Sequence, residues 1–191
     1  MTVKVGGFMS VAAAEKKKYT YEDYMKLSDD ERYELIEGEL IMLPTPKTEH
    51  QRISGKISQK IGRFVEEKKC GDAFFAPCDV VLGGKDVVQP DILFVSKERE
   101  QIIEEDNIKG APDLVVEIVS DSSAYNDFVT KKMLYSKHGV QEYWIVVPDD
   151  EAIELFERSG EKLILKRRCE KGDKLASTVL KGFEMELAEI F

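Results

Sequence analysis

Pro112-Asp113-Leu114-Val115-Val116-Glu117-Ile118-Val119-Ser120 is the stretch on which the fold turns. It is a short apolar run bounded by Pro112 and Asp121, with apolar residues at both even and odd positions. That leaves no strand face for water, as expected of a strand in the middle of a covered sheet. A helical pattern follows over residues 125–138, with Ser122 or Ser123 as its N-cap and Gly139 as its stop. Then comes EYWIVVP (142–148), a second run of the buried type. Strand, helix, strand implies a crossover unit and a partly parallel sheet flanked by helices, so the fold class is α/β.

Working outward, AFFAPCDVVLG (73–83) and VVQPDILFV (87–95) read as two strands joined by Gly83-Gly84-Lys85-Asp86. TPKTEHQRISGKISQKIGRFVEEKKCG (45–71) is the clearest helix. Thr48 and Gln51 have capping-box spacing, and Gly71 suits the stop. Ile53, Ile57, Ile61 and Phe64 form one buried stripe, and Arg52, Lys56, Lys60 and Arg63 make a basic ridge beside it. YELIEGELIMLP (33–44) reads as an N-terminal hairpin turning at Glu37-Gly38, preceded by a short helix opened by Thr20. IELFERSGEKLILKRR (153–168) is a second hairpin, turning at Ser159-Gly160, and GFEMELAEIF closes the chain.

At 191 residues the chain fits one domain, assigned to 19–191 after a flexible N-terminal extension of residues 1–18. A signal peptide fits the extension poorly, since its first segment holds only Lys4 and its apolar run lacks Leu. No run approaches the length of a membrane span. Cys70, Cys78 and Cys169 are odd in number and lack C-x-x-C spacing, which favours reduced thiols in a cytoplasmic protein. Net charge is −9, and residues 1–18 contribute +3, so the body carries −12. That balance counts against strong general binding to nucleic acid, which draws on phosphate neutralisation by Lys and Arg.

Glu117 is the most informative residue, because a carboxylate inside an apolar strand costs several kcal/mol unless a cation or donors compensate it. Asp91 sits similarly, just after Pro90. Two acids converging at one end of a sheet make an oxygen-rich site for a hard cation such as Mg²⁺. The plainer reading is that each acid pairs with a nearby Lys or Arg, or meets water at a strand end. Asp127 and Lys131, four residues apart, share a helical flank. On that flank Lys131 should reach Glu117 or Asp91, while Val129 and Met133 face inward with Leu134 close by, and Lys132 points to solvent.

PDILFV, PDLVVEIVS and DFVTKKMLYSKHGVQEYWIVVP, in that order, resemble the Uma-two family, a restriction-endonuclease-like branch of the PD-(D/E)XK nuclease superfamily. The N-terminal hairpin, the TPKTEH segment and GFEMELAEIF fit too, so the likeness runs over about residues 19–191. It implies a restriction-endonuclease-like mixed central sheet flanked by helices, with a metal-dependent phosphodiesterase site. On the match Asp91 is the first acid and Glu117 the second, with the Ile118 carbonyl a further metal ligand. The superfamily lysine belongs two residues after the second acid, where this chain has Val119, and in this branch Lys131 of the next helix takes its place. His50 matches a family histidine, with capping or packing as its rival role, and Glu34 matches a supporting acid of the hairpin. Lys132, Tyr135, Tyr143 and Trp144 read as packing or surface.

The resemblance implies a Mg²⁺- or Mn²⁺-dependent endonuclease acting on nucleic acid, DNA first, and a homodimer is consistent with the exposed strands. Val119 and the acidic balance favour a second reading, a nuclease-fold binding or assembly module without full activity. A third is a metal-dependent hydrolase of another phosphoester. The Arg52–Arg63 ridge and Lys166-Arg167-Arg168 are candidate phosphate contacts, with a solvated surface as the alternative.

Overall fold

The structure, a computed structural model, describes residues 17–28, 31–120 and 123–191. Residues 1–16 of the expected extension, and Ser122 as a helix start, lie outside the described residues. In chain order the elements are α1 (Tyr21–Tyr24), β1 (Tyr33–Ile36), β2 (Glu39–Met42), α2 (Thr48–Lys68), β3 (Gly71–Phe75), β4 (Val80–Gly83), β5 (Asp86–Val88), β6 (Ile92–Ser96), β7 (Ile108–Lys109) and β8 (Leu114–Ile118). A π-helical stretch (Asn126–Lys131) then runs into α3 (Lys132–His138). The chain ends with β9 (Glu142–Val147), β10 (Ala152–Ser159), β11 (Lys162–Glu170), β12 (Lys174–Ala176) and β13 (Glu184–Glu186).

Two sheets form the body. One has the order β11-β10-β9-β8-β6-β3, the other β2-β1-β5-β4-β7, and β12-β13 make a small ribbon. β8 is central as its composition predicts, parallel to β9 and antiparallel to β6. The β8–helix–β9 crossover is therefore present, in a mixed α/β fold with helices flanking the sheet.

The two runs read as single strands are four. Pro77 and Pro90, which donate no ladder hydrogen bond, divide each run. β3 and β6 pair in the larger sheet, and β4 and β5 pair in the smaller one, so this ribbon passes from sheet to sheet. Asp91 stands at one of the two passages, immediately before β6.

Alternation sorts the side chains onto two faces. Leu114, Val116 and Ile118 join Ile53, Ile57, Ile61 and Val65 of α2 in one core. Val115 joins Tyr135, Tyr143 and Ile145, with Ile36, Val80 and Val88 of the smaller sheet, in the other. Glu117 has the parity of Val115, and Glu34 that of Ile36. Both acids therefore face the space between the two sheets, which the π-helical stretch and α3 close.

Four local expectations are corrected. The N-cap of α2 is Lys47, without a side-chain cap, so Thr48 is already helical and forms no capping box with Gln51. The helix ends at Lys69 in the left-handed region (φ 51°), ahead of Gly71, which opens β3. Its stripe continues through Val65, with Phe64 only half-buried. The first hairpin turns at Glu37-Gly38, both with positive φ, as a two-residue loop of this twist demands. The second turns at Gly160-Glu161, one residue later than expected. No helix among the described residues is long and apolar enough to cross a membrane.

Candidate functional site

Asp91, His50, Glu34, Glu117, Asp127 and Lys131 come from five separate segments and meet where β6 begins and β8 ends. The pairing of β6 with β8 runs Phe94 to Leu114, Leu93 to Val115 and Ile92 to Val116. Asp91 immediately precedes that pairing on one strand and Glu117 immediately follows it on the other. The Ile118 N–H donates to Asp91 Oδ2 at 2.8 Å, and His50 Nε2 lies 3.2 Å from the same oxygen. His50 reaches it from the first turn of α2, and its Nδ1 is buried with no hydrogen-bond partner among the described residues.

Behind this pair lies a buried charge cluster. Lys131 Nζ is 2.8 Å from Glu34 Oε1, 3.1 Å from Glu117 Oε1 and 3.6 Å from Asp127 Oδ1. The Gln89 N–H donates to Glu34 Oε1 at 2.9 Å, so β5 positions the β1 acid. The Tyr135 hydroxyl donates to Glu117 Oε1 at 2.7 Å, and the Tyr143 hydroxyl to the Asp127 carbonyl at 3.0 Å. Side-chain exposure falls from 17% at Asp91 and 14% at His50 to 5–6% at Glu117 and Lys131. The constellation therefore opens to solvent on the Asp91–His50 side.

One ammonium among three carboxylates sets the electrostatics. Burial drives Glu117 well above the usual carboxylate range; Lys131 pulls it back, and Asp127, Glu34 and Asp91 push it up further. Burial likewise raises Asp127, against the opposing pull of Lys131 and the Ser123 side chain. For Lys131 burial favours the neutral amine, but Glu117, Glu34 and Asp127 outweigh it and hold the ammonium charged. Burial lowers His50, while its hydrogen bond and charge interaction with Asp91, helped by the Ile118 backbone, leave it raised. Burial, and then the Glu117 charge, keep Tyr135 and Tyr143 protonated and therefore donors. Fully ionised, the Lys131 cluster carries an excess of two negative charges.

All five side chains singled out in the sequence (Glu34, His50, Asp91, Glu117 and Lys131) are in this constellation. Among the described residues, no three His, Cys, Asp or Glu side chains are gathered as a metal-ligand set. The inward flank of the crossover helix differs from the expected one. Val129 and Met133 are exposed, and Asp127, Lys131, Leu134 and Tyr135 are buried. The inward stripe thus begins with a compensated ion pair instead of apolar residues, and the wider π-helical turn carries it. Lys132 is half-buried, its Nζ 4.9 Å from the centre of the Phe156 ring. Tyr135 and Tyr143, read as packing, have hydroxyls committed to the cluster. The signal for Tyr135 was its spacing, four residues after Lys131 on one helical face.

Comparison with known proteins identifies the family. The Uma2 family profile, described as "Putative restriction endonuclease", matches residues 21–188. A crystal structure titled as a putative nuclease of the DUF820 group from Anabaena variabilis superposes with a TM-score of 0.74. It is 21% identical, over 90% of this chain and 97% of that one, so the likeness is one of fold. The type IIG restriction endonuclease BpuSI aligns at a TM-score of 0.39 and 12% identity, over 68% of this chain and 14% of its own, too distant to bear on function. No curated protein matches at a significant level. With its profile matched from residue 21 to residue 188, the chain belongs to the Uma2 family of restriction-endonuclease-like proteins.

Proposed function

We propose that the protein hydrolyses phosphodiester bonds in nucleic acid, DNA first, using a hard divalent cation such as Mg²⁺ or Mn²⁺. Asp91, Glu117 and the Ile118 carbonyl would hold the ion. The observation that carries this reading is how the acids spend their oxygens. Both donors to Glu117 converge on Oε1, and both partners of Asp91 converge on Oδ2. The second oxygen of each acid is left out of those contacts, at the end of the β6–β8 pairing, beside a cluster that sets three acids around one lysine. A carboxylate and carbonyl donor set suits a hard cation. When bound, such an ion polarises a phosphodiester and lowers the pKa of a nearby water.

The chain's own residues supply the rest. The Ile118 N–H and His50 orient Asp91, while Lys131 and Tyr135 orient Glu117. Lys131, held charged by Glu34, Glu117 and Asp127, is a donor and not a general base. It can direct a water or offset charge developing on phosphate oxygens, as the lysine missing at Val119 would have done. A substrate would arrive on the Asp91–His50 side, where the site opens. Three free cysteines suit a reducing cytoplasm.

A cleavage screen on duplex DNA, single-stranded DNA, RNA and small phosphoesters, with Mn²⁺ or chelator, tests the proposal. Metal-dependent cleavage of nucleic acid by wild type, lost in Asp91→Asn, is the expected result. No turnover of any substrate would favour the binding-module reading, and turnover of small phosphoesters alone would favour the third. A homodimer is a further part of the proposal, since the edge strand β11 exposes Ile164 and Leu165. Sedimentation showing monomer at every concentration would remove it.

A further inference from the structure

We infer that Tyr135 is a positioning residue for the cation site, holding Glu117 so that one carboxylate oxygen stays available to the ion. This rests on the metal-site reading above. The Tyr135 hydroxyl donates to Glu117 Oε1 at 2.7 Å, the shorter of the two bonds that oxygen receives. The donor is rigidly mounted. Tyr135 is fully buried in α3, and its ring packs edge-on against Tyr143 with centroids 5.1 Å apart. Lys131, the other donor, is shared with Glu34 and Asp127 and hangs on a flexible stem. Among the described residues, only the phenol therefore donates to Glu117 without also serving another acid of the cluster. With Oε1 fixed from this side, rotation of the carboxylate is restrained and Oε2 is the oxygen left over. Partners that orient a ligand from behind commonly change metal affinity about 10–100-fold when removed.

Tyr143 supplies the comparison. It is equally buried and belongs to the same ring pair, but its hydroxyl donates to the Asp127 backbone carbonyl and not to a carboxylate. Tyr135→Phe and Tyr143→Phe each remove one buried hydroxyl and keep the rings. The test is calorimetric titration of the full chain with Mn²⁺ alone, alongside melting in chelator, for wild type, both variants and Glu117→Gln. Tyr135→Phe should weaken Mn²⁺ binding about tenfold or more, with Tyr143→Phe within about twofold of wild type. Equal affinity of Tyr135→Phe and wild type, with Glu117→Gln still defective, overturns the positioning role and leaves the metal site standing. Equal losses in both tyrosine variants assign the effect to packing and also overturn it. Absence of Mn²⁺ binding by wild type overturns the metal-site reading and the inference together. Should Tyr135→Phe melt too low to titrate at room temperature, the same titration in the cold gives the comparison, and unchanged Mn²⁺ affinity there likewise overturns the role.

Discussion

Glu117 and Glu142 are both buried on strands of the larger sheet, and the structure treats them differently. Glu142 is fully buried in β9, yet its oxygens accept from Trp144 Nε1, the Thr178 N–H and hydroxyl, and the Val179 N–H. Neutral donors satisfy both of its oxygens, and it ties the segment leading to β13 onto the sheet. Glu117 instead shares one cation with two other acids. The sequence argument that singled out Glu117, an acid inside an apolar run, does not reach Glu142, which opens its strand after Gln141, and only the third dimension shows that it is buried too. Glu142→Gln places an amide N–H₂ against donors and should cost about 1–3 kcal/mol in urea unfolding. Mn²⁺ affinity should not change, and a stable variant that loses the metal would contradict this division of roles. Crowding at Glu117 has a pH signature. Glu117, Asp127 and His50 are all raised in the folded state, so their contribution to stability is present at low pH and lost as pH rises through the folded values. In chelator, the melting temperature should fall as pH rises above the ordinary carboxylate range, and fall less in Glu117→Gln. A slope identical in the two proteins would show that Glu117 does not carry the strain.

At the scale of elements, the strongest patterns were legible in the sequence: β8, the α2 stripe and the Glu37-Gly38 turn each follow from local periodicity or local backbone demand. The divisions at Pro77 and Pro90 were not, because an apolar run looks the same whether it stays in one sheet or crosses to another. The inward flank of the crossover helix was missed for a related reason. Hydrophobic periodicity favours Val129 and Met133, whereas burial there follows the charge cluster. The basic ridge of α2 is also divided. Lys56 Nζ bonds the Ile190 carbonyl at 2.8 Å and Lys60 pairs with Glu189, while Arg52 and Arg63 are exposed. Lys56, Lys60 and Arg63 line a cavity of about 430 Å³ together with Glu67, Glu184 and Glu189, so the local field is mixed. Arg52 and Arg63 are thus the phosphate contacts to test. Arg52→Glu with Arg63→Glu should weaken nucleic-acid binding and reduce its salt dependence by about one unit of slope per lost contact. An unchanged slope returns the ridge to solvent.

For the whole molecule, the net charge of −9 argues against affinity from bulk electrostatics, so any nucleic acid must be recognised locally. The location of the site follows from topology. Two sheets exchange a ribbon at Asp91, α2 presents His50 there, and the crossover helix returns Lys131 to the acid that ends β8. The order of motifs was readable in the sequence, but the meeting of Glu34 with Lys131 and of Tyr135 with Glu117 needed the packing of the smaller sheet and α3. The most direct test of this account is anomalous diffraction from crystals soaked in Mn²⁺. The account predicts a peak bounded by Asp91, Glu117 and the Ile118 carbonyl, absent in Asp91→Asn crystals treated identically. Well-diffracting wild-type crystals with no peak there, or with Mn²⁺ bound only elsewhere, would contradict it.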